Sequence, residues 1–201
     1  MAWRVILGGV VGGILLFVAG AVAHMATPLG TAGLSVIPAE KEAATLGSLK
    51  EAVPSSGMYV FPGMDFSRSM TPSEERAWQD RMKAGPTGLL VIRREGGDAL
   101  SPGQLLTELA SNIAAATVVA ILLGMTQPNL GFLARVLFVV LIALTGWLSS
   151  MVSFWNWYGF DTLFTLAEAA NELLGWTLAG VGLALIVRPR SGGSQQAAAT
   201  N

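Results

Sequence analysis

Four long apolar stretches divide this sequence, and they constrain its fold more than any other feature. Each carries at most two charged residues, and together they cover residues 5–23, 104–125, 132–151 and 162–187. A helix of about 20 apolar residues rises about 30 Å, which matches the hydrocarbon thickness of a bilayer. We therefore predict an all-α membrane protein with four transmembrane helices.

Composition agrees with a membrane location and excludes several classes of function. The chain is 52% hydrophobic and only 12% charged, whereas about a quarter of the residues of a soluble domain are charged. It contains no cysteine and one histidine, which excludes thiol chemistry and nearly excludes the usual zinc constellations. With a net charge of -1 and no basic cluster, nucleic acid is not an expected partner. We expect no cofactor and no bound metal.

The apolar stretches divide the chain into four predicted parts. The parts are transmembrane helix 1 (1–25), a small α+β extracytoplasmic domain inserted between helices 1 and 2 (26–103), transmembrane helices 2–4 (104–187) and a disordered cytoplasmic tail (188–201). Cytoplasmic flanks of membrane helices are enriched in Lys and Arg. The flanking cations lie on one side if the N-terminus is cytoplasmic; they are Arg4, Arg135, Arg188 and Arg190. We predict a multi-pass protein of the bacterial inner (plasma) membrane with both termini cytoplasmic and a periplasmic domain.

The first stretch also has an alternative interpretation as a secretory signal peptide. Ala21-Val22-Ala23 has the small-x-small form of a cleavage site. The basic region before it consists of Arg4 alone, which favours a helix that is retained. Farther along the chain, the short polar turn between the second and third stretches predicts that those two helices are antiparallel neighbours.

The extracytoplasmic segment has local signals for two helices and two strands. One helix is predicted from Pro38 to about Val53, and the capping box Thr71-Pro72-Ser73-Glu74 predicts another to about Lys83. Residues 58–61 and 89–92 are apolar runs that suit paired strands. A segment of this size buries little core, so we expect it to rest on the membrane surface or on a partner.

Three stretches of the sequence resemble a group of small bacterial inner-membrane proteins. The stretches are Ala23-His24-Met25, Phe61-Pro62-Gly63-Met64-Asp65 and Ala84-Gly85-Pro86-Thr87-Gly88-Leu89-Leu90-Val91. The resemblance covers most of the chain except the tail, and it implies four membrane spans with an outer domain. It implies no activity, so it assigns no functional residue.

Small residues form stripes on three of the four predicted membrane helices. The first helix has Gly8, Gly9, Gly12, Gly13 and Gly20; the second has Ala116, Ala120 and Gly124; the fourth has Gly175, Ala179, Gly180 and Ala184. Stripes of this kind let helix backbones approach closely inside a membrane. We predict that they pack within one four-helix bundle, with a homo-oligomer seam on the first helix as the alternative.

A group of polar residues lies near the outer ends of the predicted membrane helices. It consists of Glu108, Asn112, Glu168, Glu172 and His24, with Asn171 beside them. Ionisable groups within a membrane helix are costly and mark candidate functional sites. We predict a candidate cation or proton site here. The alternative is that these carboxylates mark the hydrated ends of tilted helices and are neutralised by outer cations such as Lys83, Arg93 or Arg94.

The sequence has no motif that would identify an enzyme. Nucleophile elbows, phosphate-binding loops and paired metal ligands of the HExxH type are absent from it, and Asp161 is best interpreted as the N-cap of the fourth helix. We therefore predict a non-enzymatic accessory or assembly subunit of a membrane complex, in contact with the bilayer and with other subunits or itself. The alternative is a small transporter or channel-like protein that uses the carboxylates for a cation or proton.

Overall fold

The computed structural model describes residues 2–126 and 129–188, and the fold is mostly helical. In this part of the chain the elements are α1 (Ala2–Ala26), a 3-10 turn (Pro28–Thr31), α2 (Ala39–Ala52), β1 (Gly57–Phe61), α3 (Pro72–Ala84), β2 (Gly88–Ile92), α4 (Pro102–Gly124), α5 (Phe132–Tyr158) and α6 (Thr162–Ile186). The predicted helical class, with a small sheet between the first and second long helices, is confirmed. The predicted tail beyond Arg188, and Gln127 and Pro128 of the predicted turn, lie outside the described residues.

Four of the helices, α1, α4, α5 and α6, are long and apolar enough to cross a membrane. They indicate a multi-pass membrane protein. The third apolar helix is longer than hydropathy predicts, because α5 continues past residue 151 to Tyr158. Backbone hydrogen bonding carries the helix through the aromatic segment of Trp155 and Trp157, and the helix ends before Gly159, whose φ is 71°.

Local sequence signals position the starts of α4 and α6. Ser101 and Gln104 form the predicted capping box at α4, in which each side chain accepts a hydrogen bond from the other residue's backbone N–H. The Asp161 carboxylate accepts the Phe164 N–H at 3.0 Å and thereby caps α6, as predicted. Both helix starts therefore follow from short-range hydrogen bonding that the sequence encodes.

The chain forms two compact units. A helical unit contains the described residues of Met1–Leu34, Leu100–Asn156 and Phe160–Asn201, and a sheet unit contains Ser35–Ala99 and Trp157–Gly159. The helical unit thus holds the four long helices and the 3-10 turn, apart from the last residues of α5. The sheet unit holds α2, α3 and both strands.

The glycine face of α1 brings the helical unit together. A Cβ atom added at Gly13 would lie 2.6 Å from the backbone nitrogen of Ile113 on α4, and one added at Gly9 would lie 2.9 Å from Cα of Thr117. On the side of α6, a Cβ atom at Gly8 would lie 2.7 Å from Cγ2 of Val187. Only glycine permits such approaches. The stripe therefore packs within one bundle, which favours this interpretation over a homo-oligomer seam.

The helix α5 joins the bundle through α6. Cβ of Val139 lies 3.3 Å from the position of a Cβ atom added at Gly180, and the Arg135 Nη1–H donates to the Val187 carbonyl at 3.0 Å. The short turn predicts that α4 and α5 are antiparallel neighbours, and Leu123 of α4 belongs to the same buried cluster as Val139 of α5. Among the described helices, the most extensive backbone contacts are those of α1 with α4 and of α1 with α6. Turn length limits the separation of two helix ends, whereas small residues decide which backbones approach.

The sheet unit contains one antiparallel pair of strands. β1 and β2 pair from Gly57 opposite Ile92 to Phe61 opposite Gly88, which confirms the predicted pairing. Among the described residues of this unit, Val53 is the only buried side chain. The unit therefore has almost no hydrophobic core of its own.

Hydrogen bonds rather than buried area tie the helices of the sheet unit to its strands. The indole N–H of Trp78 on α3 donates to the Pro62 carbonyl at 3.1 Å, just after β1. The Arg94 Nε–H donates to the Val53 carbonyl at 3.0 Å and thereby satisfies the end of α2. α3 starts at the predicted capping box of Thr71 and Glu74.

Candidate functional site

An open-sided cavity of about 380 Å³ lies among α1, α4 and α6 in the helical unit. Its volume is within the range of small-molecule sites. It is lined by Leu16, Phe17, Gly20, Ala21, His24, Met25, Leu100, Leu105, Glu108, Asn112, Ala115, Asn171, Glu172, Gly175 and Trp176. The lining is largely apolar, and its polar side chains come from all three helices.

Glycine shapes one wall of this cavity. Gly20 was predicted to extend the packing face of α1, but a Cβ atom added there would meet nothing within 4 Å. About two and three helical turns toward the N-terminus, a side chain at Gly13 or Gly9 would meet the backbone of α4. The helices are therefore in tight contact at the glycine pairs and leave space beside Gly20.

The carboxylate of Glu172 is held by an aromatic neighbour one turn away on α6. The indole N–H of Trp176 donates to Oε1 of Glu172 at 2.9 Å. Trp176 is buried, with 8% of its surface exposed, so its ring is fixed by packing. Glu172 itself is exposed. The hydrogen bond therefore orients an accessible carboxylate at the cavity wall.

A second carboxylate is oriented in the same way on α4. The side-chain N–H of Asn112 donates to Oε1 of Glu108 at 3.1 Å. Glu108 is exposed and Asn112 is half-buried. Residues four apart on a helix lie on one face. The second carboxylate oxygen of Glu108 therefore lies on the same face as the side-chain amide of Asn112.

Neither carboxylate of the cavity forms an ion pair within the described residues. The salt bridges in this part of the chain join Arg68 to Asp65 and to Glu74 in the sheet unit. Arg94, one of the cations considered as a neutralising partner, donates instead to backbone carbonyls at the end of α2. Within the part of the chain that the structure describes, Glu108 and Glu172 therefore have hydrogen-bond donors but no counter-cation.

The structure brings most of the predicted polar group together and leaves one member out. Glu108, Asn112, Glu172 and His24 line the cavity, whereas Glu168, one turn away from Glu172, does not. Among the described residues, no three histidine or carboxylate side chains are close enough to hold a metal ion.

Sequence reasoning missed Trp176 as a member of the site. Its spacing of four residues from Glu172 is the signal that would have identified it, because an indole at that position reaches the carboxylate. It also assigned Gly20 to helix packing, since spacing along a helix does not reveal where a neighbouring helix diverges.

Comparisons of this chain with protein-family models, with curated proteins and with solved structures find no match. The functional argument therefore rests on the geometry of the two units.

Proposed function

We propose that this chain is a non-enzymatic accessory or assembly subunit of a complex in the bacterial inner membrane. The four apolar helices support the membrane location. The flanking arginines, of which Arg4, Arg135 and Arg188 lie in the described part of the chain, support cytoplasmic termini and a periplasmic sheet unit. In this proposal the sheet unit carries the contact to a partner protein.

The observation that carries the proposal is an exposed apolar face on the two-stranded sheet. In the antiparallel register Met58 lies opposite Val91 and Val60 opposite Leu89, so these four side chains share one face. The exposed fractions of Met58, Val60 and Val91 are 67%, 39% and 69%. A two-stranded sheet is at best marginally stable alone, and a contiguous apolar face marks an interaction surface.

The strand edges favour a protein over the bilayer surface as the occupant of this face. The sheet has two strands within the described residues, so each strand has one unpaired edge. The strand sequences Gly-Met-Tyr-Val-Phe and Gly-Leu-Leu-Val-Ile contain no charged residue and no proline, the residues that usually protect such edges. A polypeptide strand can pair with the free N–H and C=O groups, whereas lipid tails cannot.

The test compares complex formation by the wild type and by variants of the exposed face. The full chain, solubilised in a mild detergent, is examined by blue-native electrophoresis and co-purification. We expect the wild type to migrate as a complex with a second protein, and Val91→Lys to release that protein. Val36→Lys is the matched control, since Val36 is 91% exposed and lies outside the strands. Identical migration of all three proteins, or a complex that contains this chain alone, would contradict the proposal.

A second candidate function, a small transporter, is favoured by the cavity between α1, α4 and α6. Its two carboxylates face an open-sided space and have no counter-cation among the described residues, an arrangement that suits a cation or proton. The measurement is flux of cations or protons into vesicles that contain the purified chain. Equal flux for wild type and Glu172→Gln would exclude this function.

A further inference from the structure

The cavity of the helical unit is large enough to hold a small molecule. Its volume of about 380 Å³ far exceeds the space of a single water molecule, about 30 Å³. The missing side chain of Gly20 keeps one wall open, since a Cβ atom there would contact nothing within 4 Å. The space beside Gly20 therefore follows from the same series of glycines that packs α1 against its neighbours.

Charge defines the kind of molecule that this space accepts. Two oriented carboxylates, Glu108 and Glu172, stand on different walls, and neither has a cationic partner among the described residues. Asn112 and Trp176 each occupy one carboxylate oxygen and leave the other available to accept a hydrogen bond or a charge. Anions are thereby disfavoured, and a positively charged ligand is favoured.

The rest of the lining distinguishes an organic cation from a metal ion. Metal binding needs several converging ligands, and no group of three acidic or histidine side chains occurs in the described residues. The remaining walls are mainly apolar and include Leu16, Phe17 and Leu105. Aromatic faces such as those of Phe17 and Trp176 also attract organic cations.

We propose that this cavity binds a small organic ammonium ion that carries an apolar substituent. The ammonium group lies between Glu108 and Glu172, and the substituent contacts the apolar side chains of α1 and α4. Only the physiological use of the bound ion rests on the proposed transporter function. Binding itself is measured without flux and is tested independently of that function. Loss of binding and loss of partner association are therefore separate outcomes.

The experiment measures binding to the full chain in nanodiscs of zwitterionic phosphatidylcholine by isothermal titration calorimetry. The probes are benzyltrimethylammonium, tetramethylammonium, which lacks the apolar body, and benzyl alcohol, which lacks the charge. We expect saturable binding of benzyltrimethylammonium, with each of the other two at least about tenfold weaker, the size of one favourable contact.

Variants of the cavity provide the decisive comparison. Glu172→Gln keeps the hydrogen bond to Trp176 but deletes the charge, so we expect affinity to fall at least about tenfold. Glu168→Gln is the matched control, because it deletes a charge one turn away that does not line the cavity; we expect no change. Gly20→Phe should fill the space and abolish binding while the bundle still folds, as judged by its melting temperature.

Three results would overturn the inference. Equal affinity of Glu172→Gln and the wild type would exclude a role of the Glu172 carboxylate in binding. A loss of affinity in Glu168→Gln as large as that in Glu172→Gln would show that the ligand is attracted by general surface charge. Benzyl alcohol binding as tightly as benzyltrimethylammonium would show an apolar space filled without regard to charge. If Gly20→Phe does not fold, Gly20→Leu and Glu108→Gln answer the same question, since one fills the space and the other removes the second carboxylate.

Discussion

At the scale of single residues, the Glu74 carboxylate accepts hydrogen bonds from two residues, Arg68 and Thr71, at the start of α3. The Arg68 Nη2–H donates to its Oε1 at 2.6 Å, and the Thr71 backbone N–H donates to its Oε2 at 2.8 Å. Hydrogen bonds from Arg68, and then those from Thr71, favour the ionised carboxylate and hold the pKa of Glu74 at about 2, below its ordinary value of 4.5. A charged network on the surface of the sheet unit therefore orders the start of α3.

This network predicts a specific response to acid. Because the folded pKa lies below the ordinary one, the stabilisation by Glu74 is fully present above pH 4.5 and is lost as the pH falls toward 2. In Arg68→Gln the largest cause of the lowered pKa is removed, so the Glu74 carboxyl should titrate at higher pH. Carbon NMR of the carboxyl groups in the full chain measures this directly.

The control for the titration is Arg76→Gln on the same helix. Arg76 forms no salt bridge within the described part of the chain, so its removal should leave the titration of Glu74 nearly unchanged. A Glu74 carboxyl that titrates identically in wild type and Arg68→Gln would show that the ion pair does not form in solution.

At the scale of helices, the glycine face of α1 predicts which substitutions disrupt the bundle. Gly13→Leu would place a side chain against the backbone of Ile113, where no flexible atom can move aside. Overpacking of this kind costs about 1–3 kcal/mol, and more when backbone must shift. We expect a clear fall in melting temperature in detergent, or failure to fold.

Ile14→Leu is the comparison for this prediction, since Ile14 is 45% exposed on a neighbouring face of α1. A surface substitution of this kind changes stability by less than about 0.5 kcal/mol. Leu15 is a poor control, because its side chain packs against Gly182 of α6. Equal melting temperatures for Gly13→Leu and Ile14→Leu would refute the close contact between α1 and α4.

At the scale of helices, some features of the fold could be predicted from the sequence and others could not. The helix starts at Thr71, Ser101 and Asp161 and the strand pairing were predictable, because they depend on hydrogen bonds or alternation among near neighbours. The stripes of small residues also predicted that α1, α4 and α6 pack in one bundle, whereas the contact partner of each glycine depends on which distant faces are complementary. In the candidate site the polar residues were predictable as a group, whereas the exclusion of Glu168 and the space beside Gly20 required the packing of three helices.

At the scale of the whole molecule, the proposed orientation in the membrane predicts the behaviour of reporter fusions. Alkaline phosphatase is active only outside the cytoplasm. Fusion after Gly96, in the sheet unit, should give active enzyme, and fusion after Asn129, between α4 and α5, should give inactive enzyme. We expect this orientation because arginines lie beside the ends of α1, α5 and α6, and short cytoplasmic flanks retain arginine.

Fusion after Gly193 is the internal check on the same map, because an even number of crossings returns the chain to the cytoplasm. It should be inactive together with the fusion after Asn129. An active fusion after Asn129 would show that the long helices have the opposite orientation. An active fusion after Gly193 together with an inactive fusion after Asn129 would show that the chain crosses the membrane one time fewer.

The contact of α1 with α6 has a consequence for biosynthesis. α1 is made first, but its glycine face contacts α4 and α6, and α6 is the last helix of the described chain. During translation the part of α1 that contacts α6 therefore stays without its partner until α6 has been synthesised, although α4 can pack on α1 earlier. A nascent protein that stops after α4 should be recognised by membrane proteases as an incomplete assembly, so pulse-chase measurement should give it a shorter half-life than the full chain.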